Sequence, residues 1–535
     1  MMTIAATAAS HRLSIAAVLG FVALTGCAPA ATTTAAPTGS PAAASGESVE
    51  RTILRHEPES PFVAFNVWVQ SGSAHDPAGK EGLAGLTASL ISGGSTESQE
   101  YEQILSRLYP MATGYGSSTD KEMTVFRGVV HRDNLEDFYA LLLDALTAPG
   151  FREEDFNRVR TQTLNFLETT RRYSRDEELT KELLYREAYR GTPYEHPVDG
   201  YVESVRSITL DDVRDFYQTH YRSGNVVLAL GGGYPDGFPA RVRADLDQRL
   251  QPGTAPRVEA PRPSRPDRVR VLLVEKPTDA SPISIGFPIG LLRSDPAFPA
   301  VMLANSWLGE HRNSFSRLYQ VIREQRGMNY GDYSYVEAFP LGYTTQLPPV
   351  NIARRSHLFE IWIRPISMTE PGNLHDRTLF ATRAALREFD RLVENGLPED
   401  QVERSRQFLS NYVVNWGNTI GRRLAYDVDD AFYGIPDPGF LTSIRPAIRG
   451  LSTGEVNEAV RRHLSHGGGF YIVVITSDAE GFKRRLVSGE PTPITYAGER
   501  SAELIAEDRE IAGYSIPVRE QDVTIIPIAE VFERR

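Results

Sequence analysis

The sequence repeats one succession of local patterns after roughly 245 residues, and no other feature constrains the fold as strongly. A turn before a helix, a second helix start and an apolar strand pattern each occur twice, in the same order. The corresponding segments are residues 149–155 and 395–400, residues 208–213 and 451–456, and residues 225–230 and 470–475. Because the repeat has the length of a domain and mixes strands with helices, we predict two copies of one α+β unit.

The length and composition fit this organisation and exclude several classes of protein. A chain of 535 residues is too long for one ordinary hydrophobic core. Its hydrophobic fraction of 41% is that of a soluble globular protein. A net charge of -12, without a run rich in Lys and Arg, argues against a nucleic-acid partner. The single cysteine excludes a disulfide within the chain and a zinc site built from cysteines.

The N-terminus resembles the signal of a bacterial lipoprotein. An apolar run, residues 13–24, follows His11 and Arg12 and is too short to span a bilayer as a helix. It ends in the letters LTGC, which resemble the lipobox whose cysteine, here Cys27, becomes lipid-modified. An ordinary signal peptide with an unmodified cysteine is the alternative. We therefore expect a lipid-anchored protein of the bacterial cell envelope, and Ala28 favours the outer membrane, facing the periplasm.

Composition divides the chain into six segments. A stretch rich in Ala, Thr and Pro after the cysteine is typical of a flexible tether, and a stretch rich in Pro and Arg near the middle is typical of a linker. The predicted segments are a signal peptide (1–27), a tether (28–48), an N-terminal domain (49–250), a linker (251–266), a C-terminal domain (267–490) and a C-terminal extension (491–535). The extension carries short strand-like pieces but no motif that indicates a function.

In the first domain, local patterns predict the elements on which a site would be built. Residues 62–69 have the β-rich composition of a strand, and residues 82–91 have apolar residues at helical spacing before Gly93 and Gly94. Residues 135–146 and 153–170 are predicted to form two further long helices.

Several of these segments resemble the pitrilysin/insulinase family of zinc peptidases. The letters WVQSGS at 68–73, GLA at 82–84 and YVESV at 201–205 carry the resemblance, which covers residues 50 to 490. It implies two homologous domains, each a mostly antiparallel sheet packed against helices. In the family, an H-x-x-E-H motif follows Gly-Leu-Ala, because two His one helical turn apart can bind zinc while the Glu serves as general base. A Glu on a later helix completes the zinc site.

Transferred to this chain, the resemblance implies a lost zinc site. The two His positions fall on Gly85 and Ser89, the base on Ala88, and the later Glu on Phe166. None of these residues can replace the ligands or the base, and Glu168 lies about half a turn out of phase. The only close pair of histidines, His463 and His466, has no carboxylate at helical spacing and is interpreted as a surface helix end. We therefore expect no metal and no cofactor in this chain.

The second domain retains a different part of the family's site. In residues 316–330, Leu318, Val321 and Ile322 predict a buried helical stripe, Gly327 caps the helix, and Tyr330 is expected on the strand that follows. The resemblance implies that Arg323 and Tyr330 contact the substrate carbonyl and stabilise the oxyanion. The alternative is that Arg323 only compensates the helix dipole and Tyr330 packs in the core.

Two further polar features are interpreted as solvated. His311 lies in the loop 308–313 and is expected to face solvent, and contact with a substrate is the alternative. Asp120, Lys121 and Glu122 are expected to form a solvated charge run.

The resemblance implies a non-catalytic subunit, inactive alone, that binds extended peptide and supplies Arg323 and Tyr330 to a partner. The partner would be a subunit with an H-x-x-E-H motif, and the zinc is expected there. The alternative is a peptidase-derived scaffold or peptide-binding lipoprotein without a proteolytic role. A self-sufficient peptidase with unrecognised ligands is a third possibility, which the lack of a suitably spaced His/Glu cluster disfavours.

Overall fold

The computed structural model describes residues 50–340, 342, 345–367 and 374–534. The predicted signal peptide, Cys27 and the tether lie outside these residues. Within them, no helix is both long and apolar enough to cross a membrane.

The described residues form two mixed sheets with the same strand order. The first sheet runs β1-β5-β2-β4-β3 and the second runs β6-β10-β7-β9-β8, with β11 added beside β6. Neighbouring strands are antiparallel except where β1 meets β5 and where β6 meets β10 and β11. The strands are β1 (Thr52–His56), β2 (Phe62–Val69), β3 (Tyr115–Thr119), β4 (Thr124–His131), β5 (Val226–Gly232), β6 (Arg270–Glu275), β7 (Ala280–Ile289), β8 (Asp332–Tyr335), β9 (His357–Ser367), β10 (Tyr471–Thr476) and β11 (Val523–Pro527). The equal order confirms the duplication that the sequence predicted.

Helices connect the strands in both halves. The predicted strand at 62–69 and the helices at 82–91 and 135–146 are confirmed within two residues at each end. The helices are α1 (Leu83–Gly93), α2 (Tyr101–Leu108), α3 (Leu135–Thr147), α4 (Glu153–Asn165), α5 (Arg172–Ser174), α6 (Asp176–Ala188), α7 (Val202–Ser207), α8 (Leu210–His220), α9 (Phe238–Arg249), α10 (Phe298–Gly309), α11 (Leu374–Asn395), α12 (Glu399–Tyr412), α13 (Ile420–Tyr433), α14 (Phe440–Gly450), α15 (Thr453–Leu464), α16 (Ala479–Val487) and α17 (Ala502–Ala512).

One helix of each half packs on the sheet of the other half. α6 lies against β7 and β10, and α13 lies against β2 and β5. Leu183 of α6 belongs to one buried cluster with Val473 of β10, and Leu424 of α13 belongs to another with Trp68 of β2. The central strands are therefore covered on both faces, which explains why β2 and β10 are apolar almost throughout.

The loop between β3 and β4 is buried, so the prediction of a solvated charge run at residues 120–122 is wrong. Asp120, Lys121 and Glu122 are 3%, 0% and 6% exposed. Arg354 donates two hydrogen bonds to Asp120, at 2.5 and 2.9 Å, and the backbone N–H of Arg355 donates to Glu122 at 2.8 Å. The charges are buried because a segment of the second half covers this loop and supplies their partners.

The C-terminal extension contacts both halves. Its strand β11 pairs with β6 at the edge of the second sheet. Val202 and Glu203 of α7 donate their backbone N–H groups to the carbonyls of Phe532 and Glu533, each at 2.9 Å. The last described residues thus connect the second sheet to helices of the first half.

Candidate functional site

Helix α1 has small, non-ligating residues at the positions of the predicted lost zinc site. A Cβ added to Gly85 would approach the backbone carbonyl oxygen of Val198 at 3.3 Å, so the segment around Val198 lies close to this helix. Ala88 is buried and Ser89 is exposed. The described residues include no group of three or more His, Cys, Asp or Glu side chains that could hold a metal ion.

Phe166 marks a change in helix geometry that the sequence did not predict. The helix expected to run to residue 170 is α-helical only to Asn165, and Phe166–Arg171 continue as one π-helical turn. The guanidinium of Arg171 lies over the ring of Phe166, 5.1 Å from its centroid. Glu168 forms an ion pair with Arg206 of α7. Phe166 therefore contacts a residue of its own turn, and Glu168 contacts α7.

In the second half, Arg323 and Tyr330 contact each other. The Arg323 guanidinium carbon lies 5.1 Å from the Tyr330 ring centroid and 4.7 Å from that of Tyr319. Arg323 also donates hydrogen bonds to the Tyr330 carbonyl, at 3.4 Å, and to the Tyr319 hydroxyl. The stripe formed by Leu318, Val321 and Ile322 is fully buried, as predicted. Packing of this stripe therefore fixes the turn from which Arg323 projects.

The prediction that Tyr330 lies on a strand is wrong, and so is the alternative that it packs in the core. Tyr330 lies in a bend two residues before β8 and is 73% exposed. The segment that carries Arg323 is a π-helical turn, Tyr319–Glu324. The bend follows Gly327, whose φ of 61° lies in the left-handed region shortly after this turn ends. Within it, Asn329 donates a hydrogen bond to Asp332 at 2.7 Å. The strand β8 therefore begins only at Asp332.

The C-terminal extension supports the same helix, which sequence reasoning missed. Arg326, whose side chain is 0% exposed, forms ion pairs at 2.8 Å with both Glu507 and Asp508 of α17. Arg317, which precedes Arg323 on the same segment, contacts Glu507 at 3.3 Å. A signal was available in the adjacent acidic residues 507–508, but their partners lie about 180 positions away in the sequence.

His311 is buried, so its prediction as a solvated loop histidine is wrong. Its Nδ1 lies 2.9 Å from the Tyr335 hydroxyl and its Nε2 lies 2.9 Å from the Thr345 carbonyl. Burial lowers the pKa of His311 to about 3, so the ring is neutral at pH 7. The neighbouring Glu310 is also buried, and burial raises the pKa of its carboxyl to about 7. Both side chains turn inward because the loop is covered by the chain that follows β8.

The other histidine pair lies at a helix end, as predicted, but it is not fully at the surface. His463 is buried in the last turn of α15. His466 follows the helix, with its Nε2 2.7 Å from a carboxylate oxygen of Asp390. His463 is thus buried within a helix, whereas His466 contacts a carboxylate beyond the end of that helix.

Comparison with known proteins matches most of the chain to one family. The sequence profile described as Insulinase (Peptidase family M16) matches residues 51–200, and the profile described as Peptidase M16 inactive domain matches residues 207–409.

Three relatives illustrate the range of similar proteins. A Streptomyces coelicolor protein named uncharacterized zinc protease is 26% identical over 66% of this chain and 72% of its own length. The Helicobacter pylori protein named non-peptidase homolog YmxG is 22% identical over 75% of this chain and 86% of its own. The probable mitochondrial-processing peptidase subunit beta of Arabidopsis thaliana is 22% identical over 45% of each chain.

A solved structure has the same fold. The crystal structure of a peptidase M16 inactive domain from Pseudomonas fluorescens aligns with a TM-score of 0.68 and 22% identity, over 79% of this chain and 94% of that one. This likeness confirms the predicted α+β architecture of two domains with sheets packed against helices.

Proposed function

This chain belongs to the insulinase (M16) peptidase family, and we propose that it is a non-catalytic subunit that assists a zinc-bearing peptidase subunit. In this assembly the partner carries the H-x-x-E-H motif and the zinc ion. This chain contributes Arg323 and Tyr330 to the bound peptide. The assembly is anchored in the bacterial cell envelope, in the outer membrane facing the periplasm, through lipid on Cys27.

The residues at the family's catalytic positions support the inactive part of this proposal. Gly85 and Ala88 have no side-chain donor or acceptor, and Phe166 has none either. Ser89 offers a single hydroxyl, which cannot replace an imidazole as a zinc ligand. The full sequence contains no H-x-x-E-H motif in any other segment.

The single observation that carries the proposal is the exposed contact between Arg323 and Tyr330. Tyr319 and the Tyr330 ring hold the guanidinium in place, and the phenol of Tyr330 stands at the surface. An oriented guanidinium and a phenol can both donate hydrogen bonds to an oxygen on which negative charge develops. Hydrolysis of a peptide develops such a charge on the carbonyl oxygen. The exposure of the pair suits a site completed by a second subunit.

A peptide in extended conformation is the substrate class that fits a sheet protein of this type. β3 is the terminal strand of the first sheet and has a free edge among the described residues. Addition of a peptide strand to such an edge uses backbone hydrogen bonds, so it places few demands on the peptide sequence.

The test is a reconstitution with the peptidase subunit that co-purifies with this chain from native membranes. The chain alone should neither hydrolyse peptide nor retain stoichiometric zinc, and the mixture should show activity that a chelator abolishes. Arg323→Ala and Tyr330→Phe should each lower kcat of the mixture by about 100- to 1000-fold, because each removes an oxyanion donor. The matched control is Glu324→Gln, an exposed change beside Arg323 that should leave kcat unchanged.

Three results would contradict the proposal. Zinc-dependent hydrolysis by the isolated chain would show that it is an enzyme itself. Unchanged kcat in both variants would remove the role of the Arg/Tyr pair. Recovery of partners without any peptidase among them would favour the scaffold alternative.

A further inference from the structure

A partly open cavity of about 80 Å³ lies in the second half, between helix α10, strand β8 and helix α13. One water molecule needs a cavity volume of roughly 10–15 Å³, so this cavity can hold several non-hydrogen atoms. Its walls include neither Arg323 nor Tyr330. A role for this cavity is therefore independent of the proposed peptidase role.

Four polar atoms on buried side chains of the cavity wall have no hydrogen-bond partner among the described residues. They are Oδ1 of Asn305, Nδ1 of His357, Nε1 of Trp416 and the hydroxyl of Tyr426. Each of these residues is at most 8% exposed. Leaving such an atom unpaired costs about 1–3 kcal/mol, so the cavity is built for polar contents. Oδ1 of Asn305, the Tyr426 hydroxyl and, in one tautomer, Nδ1 of His357 can accept a hydrogen bond, whereas Nε1 of Trp416 can only donate one.

The charges around the cavity favour a cation. Glu310 is the C-cap of α10, and its buried carboxyl adds to the partial negative charge at this helix end. Arg293 is a positive group of the wall, and Glu337 and Asp429 neutralise it at 3.1 and 3.2 Å. Lys181 lies against the wall residues Tyr335 and Phe339, and Glu177 pairs with it at 2.9 Å. Hydrogen bonds already engage both ring nitrogens of His311. Negative charge therefore remains in excess.

The apolar part of the wall suits the carbon atoms next to such a cation. Trp416 provides an aromatic ring, and the negative face of an aromatic ring attracts an ammonium group. Tyr335 and Phe339 already receive the Lys181 ammonium over one face, at 4.2 and 5.5 Å from their ring centroids. Phe298 and Met302 supply further apolar surface. From this combination of acceptors, excess negative charge and aromatic walls, we propose that the cavity binds a primary ammonium group with its alkyl chain.

Two sources could provide this group, a free small amine or the lysine side chain of a peptide. Both place an ammonium group near the Glu310 carboxyl and the side-chain Oδ1 of Asn305. Both also place methylene groups against the aromatic residues of the wall. The two sources differ in size at the cavity mouth, where Pro348 and Pro349 are partly exposed.

The ionisation of Glu310 gives the site a characteristic pH dependence. Burial raises the pKa of this carboxyl to about 7, so a cation gains its partner only as the pH rises through 7. Burial lowers the pKa of His311 to about 3 and of His357 to about 4, and both rings stay neutral over this range. Burial also raises the pKa of Asp429, a partner of Arg293, to about 6. The other titratable or charged groups that line the cavity or act on Glu310 and His311 are Tyr335, Tyr412, Tyr426 and Tyr433, all with raised pKa values, and Arg293, Glu337, Lys181, Arg312 and Arg364.

Calorimetric titration of the full chain with n-butylammonium chloride, with N-acetyl-lysine methylamide and with n-butanol tests the site. We expect one or both amines to bind at pH 8 at least about 10-fold more tightly than n-butanol, and to lose affinity about 10-fold per pH unit below pH 7. Glu310→Gln should weaken amine binding about 10-fold or more. The matched control is Glu480→Gln, an exposed change on α16 that should have no effect.

Binding of n-butylammonium alone assigns the site to a free amine, whereas binding of the lysine derivative as well assigns it to a peptide side chain. Equal affinities for n-butylammonium and n-butanol would overturn the proposal, as would no binding of either amine. If Glu310→Gln does not fold, the pH dependence of amine binding to the unaltered chain decides, because an affinity that does not fall below pH 7 overturns the proposal. A crystal soaked in n-butylammonium chloride that shows only water in the cavity also overturns it.

Discussion

At the residue scale, the pair formed by Asp120 and Arg354 joins the two halves of the molecule. Both side chains are 4% exposed, and two hydrogen bonds connect them. Removing one partner of a buried pair leaves the other charged without compensation, which costs more than the pair itself contributes.

We expect Asp120→Asn to lower the free energy of unfolding by about 3–5 kcal/mol, because it leaves Arg354 charged and buried. Urea denaturation at pH 7, followed by circular dichroism, measures the change. Asp211→Asn removes a partner of Arg214 at 83% and 46% exposure, and should change stability by less than about 1 kcal/mol. Similar effects of both substitutions would mean that the buried pair contributes no more than a surface pair.

At the scale of elements, α17 holds the turn that carries Arg323. Glu507 and Asp508 of α17 form ion pairs with Arg326, which lies three residues after Arg323. Ile511 and Ala512 of the same helix belong to the large core of the second half. The extension is thus an integral part of the second domain, although the sequence suggested only a separate tail without a motif.

The double substitution Glu507→Gln and Asp508→Asn should lower the local stability of the segment 317–326, since it removes both carboxylates from the buried Arg326. Hydrogen exchange of the amides in this segment should become faster, while exchange in β2 of the first half should stay the same. Glu503→Gln, an exposed change on α17, serves as the control. Unaltered exchange in residues 317–326 would show that packing alone fixes this helix.

At the scale of the whole molecule, the exchange of α6 and α13 between the sheets makes the halves interdependent. Leu179, Leu183 and Leu184 of α6 are 0% exposed because the second sheet covers them. A first half produced alone would expose these leucines to water.

We therefore expect residues 50–250 and 267–534 to aggregate or stay partly unfolded when they are produced separately. Co-expression should yield a soluble complex of both pieces, because α6 and α13 then find their sheets. Size-exclusion chromatography and circular dichroism distinguish the two conditions. A folded, monomeric first half would show that the exchanged helices are not required for stability.

The sequence by itself determined the duplicated α+β unit, several elements of each copy and the residues at the family's catalytic positions. These features follow from local periodicity and from single positions in a recognisable pattern. They can therefore be predicted without knowledge of which residues meet across long sequence separations. The buried stripe beside Arg323 is predictable for the same reason.

Only the tertiary structure decided which polar residues are buried and which elements support the site. Asp120 meets Arg354 across 234 positions, and Arg326 meets Asp508 across 182. Burial of a charge depends on such a partner, and no local pattern records it, so the expectation of solvent exposure is wrong for residues 120–122 and for His311.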